Sequence, residues 1–220
     1  MMSVTHEKPV VLVGAGGHAS VLVDCLLESG TTILGVVDSR YSKGDNVLGC
    51  NVLGTDEVLM QYSPDEVCLV NGIGMVEFNT VRRDVANKMH RLGYSFVTIV
   101  HSRAIVSSSV ELEQGVQIMA GAILQPGTSI GVGSIINTGA SLDHDCEIGA
   151  SSHICPGVTL AGNVTVGSEV TVGTGSTVLP GISIGNHSVI AAGSIVYSDV
   201  EEGVTLIQKR KTTVESLERK

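Results

Sequence analysis

Two periodicities divide the 220-residue chain. From Val100 to Val196 every sixth residue is Val, Ile or Leu, at seventeen positions without exception. With 43% hydrophobic residues overall, seventeen independent hits have odds on the order of 10⁻⁶. Four residues after many of these aliphatics stands a small residue, among them Ala122, Thr128, Ser134, Ala140, Cys146 and Ser152. One inward aliphatic and one inward small residue per six is the pattern of a hexapeptide β-helix. Three hexads close one triangular coil of about 18 residues, so the repeat predicts roughly 5–6 coils stacked at about 4.8 Å. The pattern alone leaves the handedness open.

Before residue 100 the spacing alternates between strand and helix. PVVLV (9–13), TILGVVD (32–38), DEVCLVNG (65–72) and YSFVTIV (94–100) read as strands. HASVLVDCLLESG (18–30) and MVEFNTVRRDVANKMHRLG (75–93) read as helices that stop at Gly30 and Gly93. The expected architecture is therefore an α/β Rossmann-like βαβ domain over 1–98, with parallel strands. An all-β parallel β-helix of hexapeptide repeats follows over 99–204, and a tail over 205–220.

Composition removes several function classes. The net charge of −9 and a pI near 5.1 argue against nucleic-acid binding. No apolar run approaches the ~20 residues of a membrane span, and the N-terminus lacks a signal-peptide pattern. The five cysteines (Cys25, Cys50, Cys68, Cys146, Cys155) form no C-x-x-C, which argues against a disulfide framework or a zinc knuckle. The expectation is a reduced, cytoplasmic protein without membrane insertion.

Three segments carry candidate chemistry. GAGGHA (14–19) fits G-x-G-x-x-A between a strand and a helix, with Asp38 downstream. Gly14, Gly16 and Gly17 would let a phosphate approach the helix N-terminus, and Asp38 would meet a ribose or base. One such half suits a mononucleotide or nucleotide sugar better than a dinucleotide; a tight turn without a ligand is the plainer reading. The second segment is NTGASLDHDCEIGASSHICPG (137–157), which holds His144, flanked by Asp143 and Asp145, and His153. His144 falls two places after an inward aliphatic, at an outward corner. A histidine there can serve as a general base with its tautomer set by a carboxylate, or be an exposed histidine without a role. Gly162, one coil later, would bring a backbone N–H to the same corner as an oxyanion donor, or simply be a turn glycine. His153 reads as an outward strand histidine half a coil away. Cys146 should point into the core, and Cys155 could face out, but nothing nearby activates it as a nucleophile. The third segment is Lys209, Arg210 and Lys211, the one basic cluster. It is either a solvated tail or a partner for phosphates.

The segments VGAGGHA (13–19) and NT…DHDCEIG…H…G…LAGNVTVG…GTGSTVLPGISIG…IAAGSIV resemble the bacterial sugar acetyltransferases with a left-handed β-helix. The similarity points to the group of sialic-acid O-acetyltransferases and bacillosamine-type nucleotide-sugar N-acetyltransferases. It spans about residues 9–200. It implies a homotrimer that binds acetyl-CoA as co-substrate in clefts between subunits and needs no metal. His144 would be the base, with Asp145 as its acidic neighbour, and His153 would bond the thioester end. His18 and the loop Gly72–Gly74 would receive the sugar nucleotide. Where the family usually ends in a Gly-x-Pro-Ala-Lys-like segment, this chain reads GVTLIQKRKTT.

The resulting expectation is an N-acetyltransferase acting on an amino-sugar nucleotide, with O-acetylation of a sialic-acid-like sugar as the alternative. From other classes, a zinc lyase on a trimeric β-helix needs three converging histidines. The outward histidines 144, 153 and 187 are spaced 9 and 34 apart and do not share a face. A silent scaffold would release no CoA.

Overall fold

The computed structural model describes residues 8–75 and 80–208. Lys209, Arg210 and Lys211 lie outside the described residues, so their expected contact with CoA phosphates has no structural counterpart here. In the N-terminal part the order is β1 (Val10–Val13), α1 (Gly17–Glu28), β2 (Ile33–Val37), β3 (Asn46–Val47), β4 (Cys50–Gly54), β5 (Cys68–Asn71) and α2 (Val81–Arg91). A 3₁₀ turn spans Asp56–Gln61. The sheet order is β3-β4-β2-β1-β5, parallel except for the β3–β4 hairpin. That hairpin makes the sheet mixed rather than wholly parallel; its two-residue first strand carries too little alternation to be read from sequence.

β1 is buried on both faces, as parallel strands covered by helices are. Val10 and Leu12 pack under α1 residues Ala19, Leu22, Val23 and Leu26, together with Met119 and Ile135 of the repeat region. Val11 and Val13 pack on the other side with Leu59, Met89, Tyr94 and Phe96. Two sequence expectations shift at the far end of this unit. Met75 is not helical, and α2 begins at Val81, with 76–79 outside the described residues. The expected strand at 94–100 divides: Phe96 bridges Leu69, while Ile99–Val100 pairs with Gln117–Ile118 in the repeat region.

From Ile99 onward the chain is a parallel β-solenoid of two-residue strands, each paired with the strand one coil later, as in Ile123↔Ser141 and Ile135↔His153. The strands line three sheets of 7, 6 and 5 members. The seventeen six-fold aliphatics form one continuous core, with only Val100, Val106 and Leu112 partly exposed at its first coil. The small polar residues inside are satisfied by the coil above. Ser134 Oγ donates to Gly149 O (2.8 Å) and accepts from Ser152 N (2.9 Å); Ser152 Oγ repeats this with Gly167 O and Val170 N. This is why serine is tolerated at fully buried positions. The seven-stranded sheet faces the N-terminal unit, and α1 fills the space between them. Among the described residues, no helix is long and apolar enough to cross a membrane.

Candidate active site

The corner opposite the seven-stranded sheet holds His144. It follows the strand Ser141–Leu142 and lies in the turn before Glu147–Ile148. The next residue, Asp145, has φ 57°, and the residues one coil earlier and later, Gly127 (φ 78°) and Asn163 (φ 60°), are left-handed as well. Gly and Asn adopt this region at low cost, and Asp pays only a little more. The left-handed turn swings the Asp145 carboxylate back toward its neighbour, so His144 Nδ1 lies 2.8 Å from Asp145 Oδ2. A carboxylate only accepts, so Nδ1 carries the proton and Nε2 holds the lone pair. The hydrogen bond to Asp145 raises the His144 pKa above its usual range, with Asp143 adding to the effect. The ring is exposed, at 61% of its side-chain surface.

The coils on either side make room for this pair. A Cβ built on Gly162 would stand 2.5 Å from His144 Nε2 and 2.6 Å from Cε1, and a Cβ on Gly127 would collide with Asp145 Oδ1. His144, Asp145 and Gly162 thus meet at one corner.

The second constellation lies between α1 and the seven-stranded sheet. The glycine loop 14–18 and the loop 72–74 touch: a Cβ on Gly72 would meet Gly14 O at 2.5 Å, and one on Gly74 would sit 3.4 Å from His18 Cβ. Asp38 points into this loop rather than outward. Its carboxylate accepts from Ala15 N (2.8 Å), Arg40 N (2.9 Å), Arg40 Nε (3.0 Å) and Arg40 Nη2 (2.6 Å). These bonds, Arg40 foremost, hold its pKa down to about 2. Arg40 keeps 60% of its side chain exposed beside the glycine loop. Sequence reading missed it, although an arginine two places after the strand-end Asp38 was the available signal.

His153 departs from its expected outward, solvent-facing position: it is 9% exposed. The seven-stranded sheet carries it, and the N-terminal unit covers that face. Its Nε2 faces Asn137 Nδ2 at 3.0 Å and its Nδ1 faces Cys155 Sγ at 3.6 Å. Cys155 is likewise buried rather than facing out, and Cys146 is buried as expected. Burial pushes the His153 pKa down to about 4, helped by the nearby His18 and Arg82. His18, bonded through Nε2 to Gln117 Oε1 at 2.7 Å, is also lowered to about 4, chiefly by burial. His18 and His153 therefore belong to one neighbourhood with Arg82 and Gln117, and His144 lies on the far side of the solenoid. His187 faces out, 3.5 Å from Glu169. Among the described residues, no group of three or more His, Cys, Asp or Glu could hold a metal ion.

This architecture matches solved structures over nearly its full length. The acetyltransferase domain of PglB from Neisseria gonorrhoeae, solved with acetyl coenzyme A, is 32% identical, with TM-score 0.83, covering 91% of this chain and 96% of that one. PerB from Caulobacter crescentus, solved with CoA and GDP-perosamine, is 37% identical, with TM-score 0.83 and coverage of 91% and 94%. The chain belongs to the hexapeptide-repeat sugar acetyltransferases. In this acetyltransferase the family described as PglD N-terminal domain matches residues 9–89, the one described as bacterial transferase hexapeptide (six repeats) matches 145–180, and the one described as hexapeptide repeat of succinyl-transferase matches 163–198. A UDP-N-acetylbacillosamine N-acetyltransferase from Bacillus subtilis is 34% identical over 116 residues, which is 51% of this chain and 52% of that protein. The match thus spans about half the length of that curated relative.

Proposed function

We propose that this acetyltransferase moves the acetyl group of acetyl-CoA to the amine of a nucleotide-linked amino sugar, with His144 as general base. The observation that carries the reading is the His144–Asp145 pair standing over Gly162, in a chain whose solved relatives were captured with acetyl-CoA or with CoA and GDP-perosamine. The sugar amine attacks the thioester carbonyl carbon and a C–N bond forms. His144 Nε2 takes the amine proton, Asp145 holds Nδ1–H, and the charge on the ring is met by the carboxylate. As the tetrahedral intermediate collapses, the C–S bond breaks. The proton on Nε2 passes to the leaving CoA sulfur, and the base is restored. The Gly162 N–H is the donor proposed for the oxyanion, for which a backbone amide aimed at the corner suffices.

The nucleotide end is assigned to the glycine loop Gly14–Gly17, His18, the 72–74 loop and Arg40. Asp38 serves there by fixing Arg40 and Ala15 rather than by reaching a ribose. The chain works as a homotrimer, because His144 and His153 lie on opposite sides of one solenoid and a three-fold arrangement brings unlike faces together. In that arrangement His153 orders the wall beside the thioester through Asn137. The units are taken as 1–98 for the nucleotide and 99–204 for acetyl transfer.

The test is a panel of 4-amino and 4-hydroxyl sugar nucleotides on UDP and GDP, GDP-perosamine included, with free CoA followed by a thiol reagent. CoA release with amino members only, matched by N-acetyl product, supports the reading. Release with hydroxyl members only, or with none, overturns it.

A further inference from the structure

Arg82 is a buried cation that meets no carboxylate among the described residues. It is 4% exposed, and among the described residues every acceptor it meets is neutral. Nη1 donates to Asn71 O (2.9 Å) and Ile73 O (2.6 Å), and Nη2 donates to Gln117 Oε1 (3.0 Å) and Gly133 O (3.4 Å). Burial lowers its pKa to about 9, which still leaves it charged at neutral pH. Keeping a desolvated guanidinium on neutral partners is costly, and hydrogen bonds must recover that cost.

Its bond to Gln117 has a chemical consequence. Gln117 is 1% exposed and makes three contacts: Nε2 donates to Asn71 O (2.9 Å), and Oε1 faces both Arg82 Nη2 and His18 Nε2 (2.7 Å). A guanidinium only donates and a peptide carbonyl only accepts. The amide orientation is therefore dictated by its neighbours, with oxygen toward Arg82. An amide oxygen cannot donate, so His18 must supply the hydrogen from Nε2. In the neutral imidazole this leaves Nδ1 as a bare lone pair, and among the described residues no group bonds to it. His18 heads α1 directly behind the glycine loop, with the 72–74 loop against its Cβ.

We propose that Arg82, acting through Gln117, is a positioning residue that holds His18 as the Nε2–H tautomer and so presents Nδ1 as a hydrogen-bond acceptor to an N–H or O–H of the sugar nucleotide. The assignment of that ligand rests on the function proposed above; the tautomer does not.

The test begins with the unaltered protein labelled with ¹⁵N-histidine, with His18 assigned from the signal lost in His18→Gln. Long-range ¹H–¹⁵N correlation at pH 7.5 should show Nε2 protonated and Nδ1 unprotonated; the opposite tautomer, an even mixture or a charged ring overturns the proposal. Two variants then separate positioning from packing. Gln117→Leu removes the acceptor and should leave a tautomer mixture. It should also raise KM for the amino-sugar nucleotide that turns over best in the panel roughly tenfold, the scale of one lost hydrogen bond, with KM for acetyl-CoA unchanged. Gln117→Glu keeps an oxygen toward both Arg82 and His18, and at pH 8 should restore the Nε2–H form and most of the KM. A space-filling role predicts the reverse order, leucine being better tolerated than glutamate at a buried position, and that result overturns the proposal. If Gln117→Leu fails to fold, the unaltered protein and Gln117→Glu still decide. If no nucleotide turns over, the function proposed above fails, and the tautomer of the unaltered protein alone decides this inference.

Discussion

The imidazole of His144 occupies the space that a side chain at Gly162 would need, with Nε2 2.5 Å from where the Cβ would stand. The backbone at Gly162 is not left-handed, so alanine fits its conformation, and the three nearest atoms its Cβ would meet all belong to the His144 ring. The ring is exposed and can swing aside at the cost of its bond to Asp145. Gly162→Ala should therefore leave the melting temperature within about 1 °C while lowering kcat by roughly 10–10²-fold, part of the 10²–10⁴ that a positioned base supplies. Unchanged turnover would separate the His144 position from catalysis.

Asp145 makes a pH prediction. A general base works deprotonated, and Asp145 raises the His144 pKa above its usual 6.5. The acid limb of kcat/KM should then lie above pH 6.5, with activity lost as pH falls through it. Asp145→Asn removes the raising hydrogen bond and charge, so the limb should move down toward 6.5 while the pH-independent rate drops. An acid limb that does not move in Asp145→Asn would assign it to another group.

Half-buried His18 and buried His153 act on stability with the opposite sign. His18 and His153 have folded pKa values near 4 against 6.5 for a free histidine. Below pH 6.5 the unfolded chain binds more protons, so stability declines as pH falls from about 6.5 toward 4, by up to about 3 kcal/mol for each histidine. Urea unfolding at pH 7.5, 6 and 5 should show this decline, and His153→Gln should flatten it. A flat profile in the unaltered protein would contradict the lowered pKa values of these rings.

Much of this was legible in the sequence, for reasons that differ by region. A six-residue repeat over seventeen coil positions states the core directly, because each aliphatic has one possible inward face. The same register fixes which residues stack, so Gly162 could be set over His144 by counting one coil. His153 could not be read this way. Its side chain points out of the solenoid, toward His18 of α1, Met75 and Arg82, residues distant in sequence. Arg82 and Gln117 were invisible for a similar reason. An arginine on an amphipathic helix and a glutamine on a two-residue strand carry no local signal of a shared network.

Subunit arrangement gives a further prediction. His144→Ala and His153→Ala protomers, mixed with exchange confirmed by mass, should recover part of the activity that each variant lacks alone, since some clefts then contain both histidines. No recovery would mean that both residues serve a site within one chain, or that one serves none.

The most direct measurement is single-turnover acetyl transfer by unaltered and His144→Ala protein at saturating acetyl-CoA and amino-sugar nucleotide, with N-acetyl product quantified by mass spectrometry. The account predicts that the His144→Ala chain folds with the same circular dichroism and melting curve and forms product roughly 10²–10⁴-fold more slowly. Product formed within about threefold of the unaltered rate would contradict it.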